Sequence, residues 1–106
     1  MENKILNIIG LANRARKLVI GTDTVEKSLQ SGKAKYVFVA SDSSENTVDK
    51  FRKKCFYYNT PLSIDFTSEE LSKAIGKENC KVIAICDQGF TKSLEKIVKD
   101  GNLNES

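Results

Sequence analysis

The sequence predicts an α/β protein, a three-layer α/β/α sandwich around a mixed sheet of about four strands. Three observations carry this. Segments with apolar residues three and four apart alternate with short extended runs along the whole chain. Two of those runs, Tyr36-Val37-Phe38-Val39-Ala40 and Lys81-Val82-Ile83-Ala84-Ile85-Cys86, are apolar almost throughout, as strands covered by helices on both faces are. At 106 residues, 40% hydrophobic and 29% charged, the chain can bury one such core without staples. Residues 1–101 read as one domain and 102–106 as a frayed tail.

The first helix is expected over residues 2–15, with Ile5, Ile8, Ile9 and Ala12 on one face. Arg14, Arg16 and Lys17 crowd its end, where cations suit the helix dipole and can also meet phosphate. Leu18-Val19-Ile20 is a short strand or an extended link. Gly21 then turns the chain into a second helix carrying Val25 and Leu29, which stops at Ser31-Gly32. Its cap is Thr22 or Asp23, the latter having capping-box spacing with Glu26. A strand follows at 36–40. Asp42 with Glu45 repeats the capping-box spacing and opens a third helix to about Tyr57, with Val48, Phe51 and Cys55 inward. Lys50, Arg52, Lys53 and Lys54 are interleaved there, as a solvated exterior or a basic ligand surface.

Asn59-Thr60-Pro61 breaks the pattern. Leu62-Ser63-Ile64-Asp65-Phe66 alternates strictly, so it is a half-exposed strand near a sheet edge. Thr67 and Glu70 form a third capping box ahead of Leu71, Ala74 and Ile75, and Gly76 ends that helix. A polar loop leads to the strand at 81–86. Asp87 opens the last helix, where Phe90, Leu94, Ile97 and Val98 keep helical spacing.

Composition narrows the function. No apolar run approaches the roughly 20 residues of a membrane span, and no secretory h-region opens the chain, so a cytoplasmic, membrane-free protein is expected. Cys55, Cys80 and Cys86 form no C-x-x-C, and the chain has no histidine. That rules out Cys-His and Ser-His catalytic pairs and leaves no plausible zinc set. No cofactor, no metal and no catalysis are expected, in a reducing compartment. Cys86 reads as a small buried hydrophobe.

The net charge of +3 is unevenly spread. Residues 1–35 hold seven cations against three carboxylates, hence +4, which leaves −1 for the remainder. This excess surrounds Gly21-Thr22-Asp23-Thr24-Val25-Glu26-Lys27, a glycine turn into a helix with a lysine one turn on and Lys33 and Lys35 beyond. Free N–H groups and the dipole make such a helix start a site for phosphate. An anionic partner is expected, nucleic acid first. The plain alternative is an ordinary capped surface helix. Gly32-Lys33 is not a P-loop, because alanine follows the lysine.

The chain also resembles a known family, the small ribosomal proteins that bind kink-turn RNA (large-subunit protein seven-Ae type), in its bacterial YlxQ-like branch. The marks are Ile8-Ile9-Gly10-Leu11-Ala12, Gly21-Thr22 with Lys27, Ser31-Gly32-Lys33-Ala34-Lys35 and Val39-Ala40-Ser41-Asp42. They continue with Cys55-Phe56-Tyr57-Tyr58-Asn59-Thr60-Pro61, Ala74-Ile75-Gly76-Lys77 and Val82-Ile83-Ala84-Ile85. The resemblance implies the same sandwich fold and non-catalytic binding of structured, kink-turn-like RNA by a monomer, with ribosomal RNA a candidate and a role tied to translation.

It further implies that the second helix enters the RNA groove. There an Asn-Glu pair reads sheared G·A pairs with help from a lysine, and a loop before the last strand packs on an extruded nucleotide. By position these roles fall on Asp23, Thr24 and Lys27 and on the loop from Gly76 to Val82, with Gly21, Thr22, Lys17, Lys33 and Lys77 as further contacts. Val82 is the candidate for touching the unstacked base, or else simply starts the strand.

Asp23 and Thr24 depart from the family's Asn and Glu. An ionised aspartate accepts but cannot donate to a guanine edge, so altered selectivity is expected. The same departure supports an alternative, a protein-interaction or assembly domain that has kept the fold and lost specific RNA reading.

Overall fold

The structure, a computed structural model, describes residues 3–99; Met1, Glu2 and the expected tail at 102–106 lie outside them. In chain order the elements are α1 (Lys4–Arg14), β1 (Leu18–Ile20), α2 (Thr22–Gln30), β2 (Tyr36–Val39), α3 (Glu45–Tyr57), β3 (Leu62–Ser63), α4 (Ser68–Ile75), β4 (Val82–Ile85) and α5 (Gln88–Lys99). The strands form one sheet in the order β1-β4-β2-β3. β4 runs antiparallel to both β1 and β2, with Val19 opposite Ala84 and Val37 opposite Ala84, and β3 pairs parallel to β2.

Successive strand residues point to opposite faces, and this decides the layers. Tyr36, Phe38, Ile83 and Ile85 face one way and pack with Ile9, Ala12, Leu71, Ile75 and Leu94 of α1, α4 and α5. Val37, Val39, Val82 and Ala84 face the other way and pack with Val25, Leu29, Phe51 and Cys55 of α2 and α3. The result is the expected α/β/α sandwich with two cores. Each fully buried Val, Ile, Leu or Phe contributes roughly 1.5–3 kcal/mol by transfer. The outer helices come close enough that a Cβ on Gly10 of α1 would lie 2.9 Å from the carbonyl oxygen of Ala74 in α4.

Helix starts differ from the spacing-based expectation in two places. α2 is capped by Gly21, with no side-chain cap bond, rather than by Thr22 or Asp23. Its capping box does not form because Glu26 turns away to Lys50 and Lys54 of α3, at 3.1 and 3.2 Å. α3 is capped by Ser44, whose Oγ accepts from Thr47 N–H, rather than by Asp42. Asp42 instead reaches across the chain to α4, accepting from Ser68 N–H at 2.8 Å and Ser68 Oγ at 2.7 Å. The Thr67–Glu70 box is present as expected, and Asp87 accepts from Phe90 N–H at the start of α5. Asn3 caps α1. β3 covers Leu62 and Ser63 rather than 62–66, because the chain leaves the sheet edge and buries Phe66 on the α4 side.

Strand directions define two ends of the sheet. At the head, the C-terminal ends of β1 and β2 meet the start of β4: Gly21 N–H donates to Val82 O at 2.9 Å and Ala40 N–H to Lys81 O at 2.7 Å. At the foot, Cys86 N–H donates to Lys17 O and Lys35 N–H to Ile85 O, both at 2.8 Å.

Candidate nucleic-acid interface

At the head, the start of α2 is held from three sides. Gly21 has φ +107° and ψ 148°, a conformation that L side chains rarely adopt. Its N–H bonds to β4, and its carbonyl accepts from Val25 N–H at 2.9 Å. Val25 and Leu29 are fully buried against the sheet, which fixes the helix rotation. The two lysines on Glu26 brace α2 against α3 and hold its carboxyl below the usual carboxylate value.

The opposite face of this first turn is open. Thr22, Asp23, Thr24 and Lys27 are exposed, and their side chains make no hydrogen bond or ion pair among the described residues. Asp23 and Lys27 lie four apart on one stripe. With no side-chain cap, the first N–H groups of the helix are available to an outside acceptor. An acidic and a basic side chain beside free backbone donors can accept from a base amino group, donate to a base edge or bind a phosphate.

The other expected contacts distribute differently. Val82 is 2% exposed, with its side chain in the core between the sheet and α2 and α3. It cannot meet an unstacked base; what it offers is the carbonyl that anchors Gly21. Lys77 is exposed just past Gly76, in a loop lying along α4, where Cys80 N–H donates to Ser72 Oγ at 3.0 Å. Lys17 and Lys33 lie at the foot: Lys33 is removed from the start of α2 by the length of that nine-residue helix, about 13 Å, and Lys17 by the length of β1.

Lys81, not singled out from sequence, is exposed at the head. It lies close enough to Asp42 to lower its pKa, though the Ser68 hydrogen bonds are the larger cause. A charge flanking a buried strand carries no signal of its own in the sequence. Cys86 is half-buried rather than buried, and its thiol is pushed up by burial against the opposing effects of Ser28, Lys33 and Lys35. Among the described residues no group of three or more Cys, Asp or Glu could hold a metal ion. No helix among them is long and apolar enough to cross a membrane.

Sequence comparison assigns this sandwich to a class: the chain belongs to the ribosomal protein L7Ae/L30e/S12e/Gadd45 family, whose model matches residues 3–95. Within that class it is similar to two proteins named RNA-binding protein YlxQ. The one from Enterococcus faecium is 42% identical over 98 residues, covering 92% of this chain and 94% of the relative. The one from Bacillus subtilis (strain 168) is 44% identical over 87 residues, covering 82% and 87%.

Solved structures agree on the fold. A Bacillus halodurans protein described as of unknown function matches with TM-score 0.87 and 36% identity, over 92% of this chain and 99% of that one. The Giardia lamblia 15.5kD RNA binding protein matches with TM-score 0.80 over 94% and 89%, at 18% identity.

Proposed function

We propose that this protein is a non-catalytic binder of structured, kink-turn-like RNA, acting as a cytoplasmic monomer in a translation-linked setting. The observation that carries the reading is the start of α2. Its backbone donors are uncapped, Asp23, Thr24 and Lys27 are exposed beside them, and the turn is fixed to the sheet through Gly21 and Val82. Family membership and the relatives named as RNA-binding proteins support it. Lys77 and Lys81 extend the cationic surface on the loop side, with Lys17 and Lys33 as outlying contacts. A binder fits better than an enzyme: the chain has no histidine, and Cys55 is buried with its pKa pushed up to about 11.

The test is a titration, at one stated salt concentration, of a kink-turn RNA and of the same RNA with its G·A pairs converted to Watson–Crick pairs. The expected preference for the first is tenfold or more, about 1.4 kcal/mol. Equal, salt-sensitive binding to both would reduce the interaction to backbone attraction. Binding to neither would bring forward the protein-interaction reading.

A further inference from the structure

We infer that the foot of the sheet is a second RNA contact, a cleft that takes one unpaired nucleotide of a single-stranded segment. It rests on the RNA-binding reading only for the class of partner. Three independent features converge there.

The first is a cleft of about 300 Å³ between the ends of α2 and α3 and the start of α5. That is the lower end of the size range of small-ligand pockets, roughly 300–1,000 Å³. The second is Thr91, which lines it. Thr91 is 3% exposed, and its hydroxyl has no hydrogen-bond partner among the described residues. Buried polar groups are ordinarily satisfied, so an orphaned hydroxyl in a cleft wall points to a ligand atom. The third is an aromatic ledge. Tyr58 lines the cleft, and Tyr57 stands edge-on to it with ring centroids 4.8 Å apart and planes at 89°. Tyr57 is 77% exposed and its neighbour Phe56 85%.

The chemistry of the rim selects among ligands. Gln30, Asn59 and Gln88 also line the cleft and offer amide donors and acceptors suited to a base edge or a ribose. Glu95 lines it too and keeps phosphate out of the interior, while accepting from an amino group or a 2′-hydroxyl. Phosphates are served outside it. Lys35 is on the wall, Lys17 and Lys33 are at the same end of the sheet, and Lys53 is exposed one helical turn before Tyr57. A flat exposed ring, amide groups and cations together match a base, its edge and its backbone. The base must be unpaired, because a duplex hides its ring faces.

The experiment uses a fluorescein-labelled hexaadenylate RNA and the intact chain, followed by anisotropy. The wild type is expected to bind. Tyr57→Ala should weaken that binding about 5- to 150-fold, the range for loss of one stacked base. Thr91→Val, which keeps the side-chain shape, should weaken it without lowering the melting temperature. Tyr57→Ala should bind a kink-turn lacking single-stranded arms as the wild type does, and Lys27→Ala should bind the hexamer as the wild type does. This separates failure of the foot from failure of the head.

No hexamer binding, or equal binding by the wild type and Tyr57→Ala, overturns the inference. So does an RNA-free self-association that Tyr57→Ala abolishes, since the ledge would then belong to a second copy of the chain.

Discussion

Replacing Asp23 by asparagine changes two quantities in opposite directions. Asp23 is an exposed carboxylate in the first turn of α2 and makes no hydrogen bond among the described residues. Its contribution to the fold is therefore its interaction with the helix dipole, about 0.3–1 kcal/mol. Asp23→Asn should lower the melting temperature by roughly 1–8 °C, at ~4–8 °C per kcal/mol for a domain of this size class. Toward RNA the change supplies a donor where there was none. One added bidentate base contact is worth about 1–3 kcal/mol, or 5- to 150-fold.

Removing the negative charge also favours any nearby phosphate, by about 0.5 kcal/mol at ~8 Å in water. That electrostatic part is common to all RNAs. The assay is therefore the ratio of Kd values for the kink-turn and its Watson–Crick-paired control, measured for both proteins at fixed salt. The ratio should grow by about fivefold or more. If both RNAs tighten equally, Asp23 faces phosphate and reads no base. If neither changes, the placement of the reading surface on this turn is wrong.

The other expectations follow from contacts already described. Lys27→Ala should weaken kink-turn binding while moving stability by no more than about 0.5 kcal/mol, since Lys27 is exposed and unpaired among the described residues; thermal melts and the same titration check both halves. Gly10→Ala should destabilise the protein by about 1–3 kcal/mol despite alanine's helix preference. The added Cβ would meet a backbone oxygen at 2.9 Å, and denaturant unfolding reads the loss. Glu26→Gln should cost about 0.2–1 kcal/mol for each of its two partly exposed pairs. Because the folded pKa lies below the ordinary 4.5, that advantage is complete above about pH 4.5 and lost as pH falls through the folded value, so acid melts of the two proteins should converge. With a thiol reagent at pH 8, Cys86 should label in the native protein while buried Cys55 and Cys80 label after denaturation.

Which signals were legible depends on how local their causes are. The unbroken apolar runs marked β2 and β4 because burial on both faces leaves no polar position. Strict alternation likewise marked the edge strand. Three spacings in the sequence fit a capping box equally well, but among the described residues one forms. Thr67 and Glu70 bond each other, whereas Glu26 has Lys50 and Lys54 within reach and Asp42 has Ser68. Those competitors come from distant parts of the chain, so no local window shows them.

The same reason explains the site. The start of α2 is legible as a candidate because a glycine, a helix and a lysine are contiguous. Lys17 and Lys33 flank it in sequence, yet Lys17 lies at the foot before β1 has run to the head, and Lys33 lies there after α2 has run back. Val82 was a candidate by type, and its strand alternation turned it inward. The foot cleft joins α2, α3 and α5 and has no contiguous signature at all.

The strand order has a consequence for the timing of assembly. Among the described residues β4 is the last strand to be synthesised, yet it sits between β1 and β2, each of which finds it as a sheet partner. Until it emerges, β1 has no neighbour, the Gly21 turn has no carbonyl to bind and neither helical layer has a finished surface to cover. A growing chain therefore carries unpaired strand edges until Ile85 has been made. Completion of the sheet and assembly of the head surface become one late event, so a chain interrupted before β4 would be left without either.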